Sequence, residues 1–200
     1  RAKLHPRISV TARWLLTIYI GLTLICTLFM HVAGMGWFDS LCHSMSTVST
    51  GGFSTKQASI AAFNSPAIEY VTTLFMFMGG INLSLLYLLI FKFRVRDMYR
   101  DSEFRTYLSI VLLFTAVITV GLVFTSDMPV AESFRTALFQ VVSIQTTTGF
   151  ATANYVLWMP LLWLMLCALM FFGACSGSTS GAMKCMRISI LVKVMLNEFK

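Results

Sequence analysis

Two short polar phrases carry the chemistry available to this chain. Ser49, Thr50, Gly51, Gly52, Phe53, Ser54 and Thr55 form the first; Thr146, Thr147, Thr148, Gly149, Phe150, Ala151 and Thr152 form the second. Laid over one another at an offset of 97 residues, Ser49 on Thr146, both reduce to (S/T)-T-x-G-F-x-T. Neither contains Asp or Glu. The ligands on offer are backbone carbonyls and threonine hydroxyls. Uncharged oxygens suit a large monovalent cation better than Ca²⁺ or Mg²⁺, which recruit carboxylates. Gly52 and Gly149 hold equivalent positions, where the lack of a Cβ lets the backbone turn its carbonyls inward.

The elements that must position these phrases lie in a membrane. The 200 residues are 57% apolar and only 12% charged, about half the usual charged share. Mean hydropathy is +0.78. Residues 14–38, 68–91, 107–124 and 155–173 are apolar runs near the roughly 20 residues a helix needs to cross. The predicted class is an all-α polytopic membrane protein. The first run is too long, and lacks the small-residue cleavage site, for a signal peptide. A start at Arg1 rather than Met implies a piece of a larger protein.

The net charge of +7 is distributed by topology. Arg1, Lys3, Arg7 and Arg13 precede the first run; Lys92, Arg94, Arg96, Arg100 and Arg105 separate the second from the third; Lys184, Arg187, Lys193 and Lys200 follow the fourth. The other faces hold Lys56 and Arg135 against Asp39, Glu69, Asp127 and Glu132. The positive-inside rule then puts both ends of the segment and the central loop in the cytoplasm, and residues 37–66 and 125–157 outside. Nothing resembles the basic face of a nucleic-acid-binding domain.

Before each phrase stands a segment too short to cross, residues 39–48 and 132–144. Each has the length of a re-entrant helix. Asp39 and Glu132 suit the positive end of the helix dipole, leaving the negative end in the membrane, where it favours a cation. Gly/Ser/Thr clusters ordinarily make surface turns. Two of them behind half-length helices, at the same topological place, argue instead for backbone lining an ion path.

The fourth run breaks at Gly173, Ala174, Cys175, Ser176, Gly177, Ser178, Thr179, Ser180 and Gly181, then turns apolar again after Lys184. A discontinuous helix with an unwound middle fits, and such breaks serve ion sites and gates. Gly173 to Gly177 also mimics a nucleophile elbow with Cys175 as nucleophile. That motif needs a preceding strand and a His–acid pair, and His5, His31 and His43 offer no acid-paired partner. No P-loop is matched. Cys26, Cys42, Cys167, Cys175 and Cys185 are scattered, without metal spacing, and read as small buried side chains. His31 and His43 read as packing or surface residues, Asn82 as an interhelical hydrogen bond beside small-residue packing at Gly79 and Gly80, and Trp14, Trp37, Trp158 and Trp163 as interfacial anchors.

Together, STGGFST and TTTGFAT behind re-entrant helices, and G-x-C-x-G-S-T-x-G-x-x-K after the second unit, resemble the Trk/Ktr/HKT superfamily of potassium transporters, most of all its bacterial TrkH branch. In that superfamily four M1–P–M2 units in one polypeptide surround a single pore, as four subunits do in potassium channels. The resemblance covers nearly the whole chain. It implies that residues 1–100 are the second unit and 101–200 the third. It implies a K⁺ selectivity filter at Thr50, Gly51, Gly52 and Phe53 and at Thr147, Thr148, Gly149 and Phe150, with Ser49 and Thr146 at its inner edge. The intramembrane gate loop falls on residues 173–181, with Ala174 and Ala182 where second glycines are common in the family. It further implies multi-pass insertion in the inner membrane lipid bilayer, a homodimer, a cytoplasmic nucleotide-binding regulatory subunit of TrkA type, K⁺ as permeant ion, no covalently bound cofactor and no enzymatic activity. Two other classes compete: a broken-helix secondary transporter of another cation or small solute, which predicts inverted halves, and a membrane-embedded cysteine hydrolase using Cys175.

Overall fold

The computed structural model describes residues 8–92, 95–126 and 128–198. Arg1, Lys3, His5, Arg7, Arg94, Asp127 and Lys200 lie outside the described residues, as do the side chains of Lys92 and Lys193. The regular structure of the described residues is helical, with short 3₁₀ turns and one isolated bridge between Phe172 and Met183.

Helix α1 (Ile8–Val32) is the first long apolar element. It ends earlier than the expected limit of residue 38, because Gly34 takes a left-handed conformation at φ +108°. The Met35 N–H then reaches Met30 O at 3.1 Å and the Gly34 N–H reaches His31 O at 3.0 Å, a glycine-terminated cap. Trp37 and Phe38 open the next helix, α2 (Trp37–Val48). Its 12 residues rise about 18 Å, too little for the roughly 30 Å hydrocarbon core. Asp39 lies in its first turn, and its buried face is largely polar: Ser40, His43, Ser44, Ser46, Thr47 and Val48. Ser44 Oγ meets Thr27 Oγ1 of α1 at 2.6 Å.

The return to the far side differs from expectation. Residues 68–91 are not one straight helix. Helix α3 (Pro66–Gly79) and helix α4 (Leu83–Lys92) meet at a bend of 108°. Asn82 starts α4 as a cap, its Oδ1 accepting the Ser84 N–H at 2.8 Å, in place of the interhelical bond expected of it. Short helix α5 (Val95–Arg100) leads to α6 (Ser102–Thr125). Asp101 caps α6 by accepting from Glu103 N at 2.8 Å and Phe104 N at 3.1 Å.

The second half repeats the plan with α6, the short α7 (Val130–Gln145), α8 (Pro160–Leu169) and α9 (Cys185–Glu198). Glu132 lies in the first turn of α7. The fourth run starts at Pro160 rather than 155, behind a 3₁₀ turn at Tyr155–Leu157. The 15 residues 170–184 between α8 and α9 contain no helix, so the expected interruption is present. Two described helices, Ala12–Val32 and Ser102–Thr125, are long and apolar enough to cross a membrane, or three if the α3–α4 pair counts as one span; the bend in the second run departs from expectation, while the break in the fourth was expected.

Both short helices enter from the same side. At their starts, Thr55 Oγ1 donates to Asp39 Oδ1 of α2 at 2.6 Å, and Arg135 Nε of α7 donates to Glu69 Oε2, in the first turn of α3, at 2.7 Å. At their ends, Val48 O lies 3.5 Å from where a Gly79 Cβ would stand, and Thr146 Cγ2 lies 2.9 Å from a Gly80 Cβ. A parallel repeat follows, which runs against the inverted halves of the secondary-transporter alternative. Met30, Met76, Tyr107, Ile118, Leu122, Phe139 and Leu166 close the core, while Leu16, Leu24, Phe29, Leu112 and Leu113 face outward, as suits lipid.

Candidate functional site

The two phrases share one backbone conformation. Ser49 and Thr146 cap α2 and α7 in right-handed geometry. Thr50 and Thr147 then turn left-handed, at φ +53° and +58°, and after one more residue so do Gly52 and Gly149, at +71° and +84°. The left-handed residues thus fall at the second and fourth positions of each phrase. The capping bonds repeat as well. Gly51 N reaches Ser46 O at 2.8 Å and Thr50 N reaches Thr47 O at 3.1 Å; Thr148 N reaches Ser143 O and Thr147 N reaches Ile144 O, each at 2.9 Å. This is the Schellman pattern, with threonine where glycine is usual. A left-handed non-glycine residue costs about 1–2 kcal/mol, and such strain concentrates at functional positions.

The phrases touch. A Cβ on Gly52 would lie 1.8 Å from Thr148 O, so glycine is required there for the two backbones to approach. Gly149 has nothing within 4 Å of its Cβ position among the described residues. Behind them stands His43, fully buried. Its Nδ1 pairs with Asp39 O at 2.7 Å and its Nε2 with Ser54 Oγ at 2.9 Å. Its ring lies 5.9 Å from that of Phe150. His43 is therefore a buttress between the two phrases rather than a ligand. His31 packs too, stacked on Trp37 at 4.2 Å with Nδ1 on Met35 O. The two phenylalanines differ: Phe150 is buried while Phe53 is 81% exposed. Ser143 Oγ donates to Phe150 O at 2.7 Å, whereas the equivalent Ser46 Oγ is buried without a partner. The Phe150 carbonyl is thus tied back to α7. Thr146 Oγ1 and Thr148 Oγ1 pair at 2.8 Å.

Residues 173–181 pack directly against both phrases. Thr50 Oγ1 donates to Thr179 O at 3.1 Å. Thr179 Oγ1 donates to Val48 O at 2.9 Å and to Gly79 O at 3.1 Å. Gly181 N donates to Thr147 Oγ1 at 2.7 Å. Thr147 thus gives its hydroxyl to this loop, while Thr50 shares its proton between Thr179 O and the nearer Ser49 O at 2.7 Å. The bend between α3 and α4 supplies further anchors: Cys175 N to Gly80 O at 3.0 Å and Leu83 N to Gly177 O at 3.2 Å. Ser178 Oγ bridges Cys175 O at 2.6 Å and Ser180 Oγ at 2.7 Å. Glu103 Oε1 accepts from Ser176 N at 2.5 Å. Lys184 Nζ donates to Ser180 O, and to Ser180 Oγ at 3.2 Å. Gly173 and Ala174 are buried and tied to α9 through Cys185, whose Sγ–H donates to Gly173 O at 2.9 Å and whose N–H donates to Ala174 O at 3.2 Å.

Cys175 is fully buried, follows a helix rather than a strand, and has neither His31 nor His43 at hand. None of the described His, Cys, Asp and Glu residues forms a group that could hold a metal ion. The sequence reading missed four participants: the Gly80–Asn82 bend, Glu103, the grip of Lys184 on Ser180, and the Glu69–Arg135 pair. A Gly-Gly pair followed by Asn inside an apolar run was the available signal for the first.

The likeness to known proteins agrees with this geometry. The sequence matches the TrkH family, described as a cation transport protein, over residues 1–200. It is 41% identical over 197 residues to a Trk system potassium uptake protein TrkH of Halomonas elongata, covering 98% of this chain and 41% of that protein. Against the Trk system potassium uptake protein TrkH of Escherichia coli K12 the identity is 38% over 199 residues, again with 41% of that protein covered. The crystal structure of the potassium transporter TrkH from Vibrio parahaemolyticus superposes with a TM-score of 0.93 at 36% identity, over 100% of this chain and 43% of that one. The chain thus spans about two fifths of its relatives' length, and with the family matched from its first residue to its last, it belongs to the TrkH family of cation transport proteins.

Proposed function

We propose that this chain supplies two of the units around a K⁺ uptake path, residues 1–100 and 101–200, with the filter at residues 49–53 and 146–150 and the gate at residues 173–181. One observation carries the reading: two loops 97 residues apart adopt the same alternation of left- and right-handed backbone and meet backbone to backbone at Gly52 and Thr148. Carbonyls so aligned replace the hydration shell of a dehydrating cation. The short helices point their negative ends at the same place. Thr50 and Thr147 tie the loop of residues 173–181 across the inner end of the path, so flow requires that loop to move.

Gly149 presents an open face where Gly52 presents a contact. A further filter strand seats there in the complete pore, and two loops line half of it. The mouth side is extracellular, and the basic segments face the cytoplasm of an inner-membrane protein. The transporter works as a homodimer, with a nucleotide-binding regulatory subunit of TrkA type docked on that basic cytoplasmic face. No cofactor beyond the permeant ion is needed.

Rb⁺ uptake by the intact transporter tests the filter. Gly52→Ser and Gly149→Ser should each lower Rb⁺ affinity and Rb⁺/Na⁺ preference. Unchanged values in both variants remove the assignment.

A further inference from the structure

Most contacts that hold residues 173–181 in place are neutral hydrogen bonds. Two are not. The Glu103 carboxylate takes the Ser176 N–H at 2.5 Å, and the Lys184 ammonium takes the Ser180 carbonyl. These grips fall at the two ends of the five-residue stretch 176–180. We propose that Glu103 and Lys184 are positioning residues that keep this loop closed beneath the filter, each holding a backbone group with a full charge. The proposal rests on the cation path described above and assigns that path its latch.

The Ser180–Gly181 peptide shows how the grip is transmitted. Its carbonyl accepts from Lys184, while its N–H donates to Thr147 Oγ1 at 2.7 Å. A charge at one end of a peptide polarises it and strengthens the bond at the other end. Lys184 therefore tightens the contact between loop and filter threonine without touching the filter. At the opposite end, Glu103 stands in the first turn of α6, whose start is fixed by the Asp101 cap. Ser176 is followed by Gly177 at φ +77°, a position suited to hinging. Beside it lies a cavity of about 420 Å³, lined in part by Asn82, Asp101, Glu103, Ser176 and Gly177. Released from Glu103, the 176–177 backbone has that space to enter.

The test uses the intact transporter in proteoliposomes, with Cys26, Cys42, Cys167 and Cys185 replaced so that Cys175 is the thiol of this segment read by a membrane-permeant maleimide. Rb⁺ flux and Cys175 labelling are measured on the same preparations. Glu103→Gln keeps an acceptor but loses the charge and should raise flux and labelling by roughly three- to tenfold, the difference between charged and neutral hydrogen bonds; Lys184→Met removes the donor outright and should raise both by about tenfold or more. Lys184→Arg should stay within about twofold of the parent, and Rb⁺/Na⁺ preference should hold in all. Where Lys184→Met does not fold, Lys184→Gln takes its place. Unchanged labelling in both charge-removing variants overturns the proposal. So does a rise accompanied by lost ion preference, which marks a damaged filter rather than a released loop. A parent protein that passes no Rb⁺ overturns the cation path itself, while Cys175 labelling still reads the latch.

Discussion

Thr147→Gly sets two effects of opposite sign against each other. Thr147 holds φ +58°, and relief of that strain stabilises the second phrase by about 1–2 kcal/mol. The extra freedom of glycine in the unfolded chain returns about 0.5–1 kcal/mol of it. Folded stability therefore changes by about 0–1.5 kcal/mol, in the favourable direction. The loop responds differently, because the Gly181 N–H loses its acceptor at 2.7 Å. A net hydrogen bond is worth about 0.5–1.5 kcal/mol. Gly181 is exposed, so water replaces part of the loss and the lower half of that range applies. The closed loop then loses about 0.5–1 kcal/mol, roughly a two- to fivefold shift toward open. Thr147→Val loses the same hydroxyl but keeps the strain. Rb⁺ flux into proteoliposomes should therefore rise by the same factor in both variants. A thermal melt should show the glycine variant at or above the parent and the valine variant below it. A flux increase in one variant alone, or a decrease in both, refutes the coupling of this hydroxyl to the loop.

Gly52→Ala would place a Cβ 1.8 Å from Thr148 O and should abolish Rb⁺/Na⁺ discrimination. Gly149→Ala should be equally damaging in the intact transporter if another strand packs there; a mild effect in Na⁺-competition uptake would mean that its side stays open. Glu69→Gln leaves Arg135 with only the more exposed Glu132 carboxylate at 4.0 Å, at a site where the Glu69 and Arg135 side chains are 13% and 22% exposed, and should destabilise the protein by roughly 1–2 kcal/mol in a thermal melt. Asp39 is held below the usual carboxylate range, chiefly by the Thr55 hydroxyl and then by Lys56. Its lowered folded-state pKa means that its stabilisation is present above the ordinary carboxylate value and is lost as pH falls through the folded one. Melting temperature should drop between about pH 5 and pH 2, and Asp39→Asn should flatten that part of the curve.

Much of the site was legible because its signals are local. The phrases repeat in the sequence, and the short helices before them needed only a count of residues: 39–48 expected against Trp37–Val48, and 132–144 against Val130–Gln145. The break after Phe172 announced itself in its glycines and serines. The bend at Gly80 was marked only by Gly79, Gly80 and Asn82, which read equally well as close helix packing. The partners that make that bend tolerable come from far along the chain, where Cys175 N, Gly177 O and Thr179 Oγ1 satisfy the freed backbone groups. The left-handed threonines were hidden for the same reason. Local preference puts glycine there, and the contacts with Thr179 and Gly181 that the hydroxyls make come from far along the chain. Glu103 reads in sequence as an ordinary first-turn acid, and nothing local ties it to Ser176.

The central claim is that the carbonyls of these two loops bind the permeant ion. Anomalous diffraction from crystals of the intact transporter soaked in Rb⁺ tests it directly. Density should lie beside residues 49–53 and 146–150, between the two short-helix ends, and should be lost in Gly52→Ala. Rb⁺ bound elsewhere along the path, with both loops empty, would contradict the account.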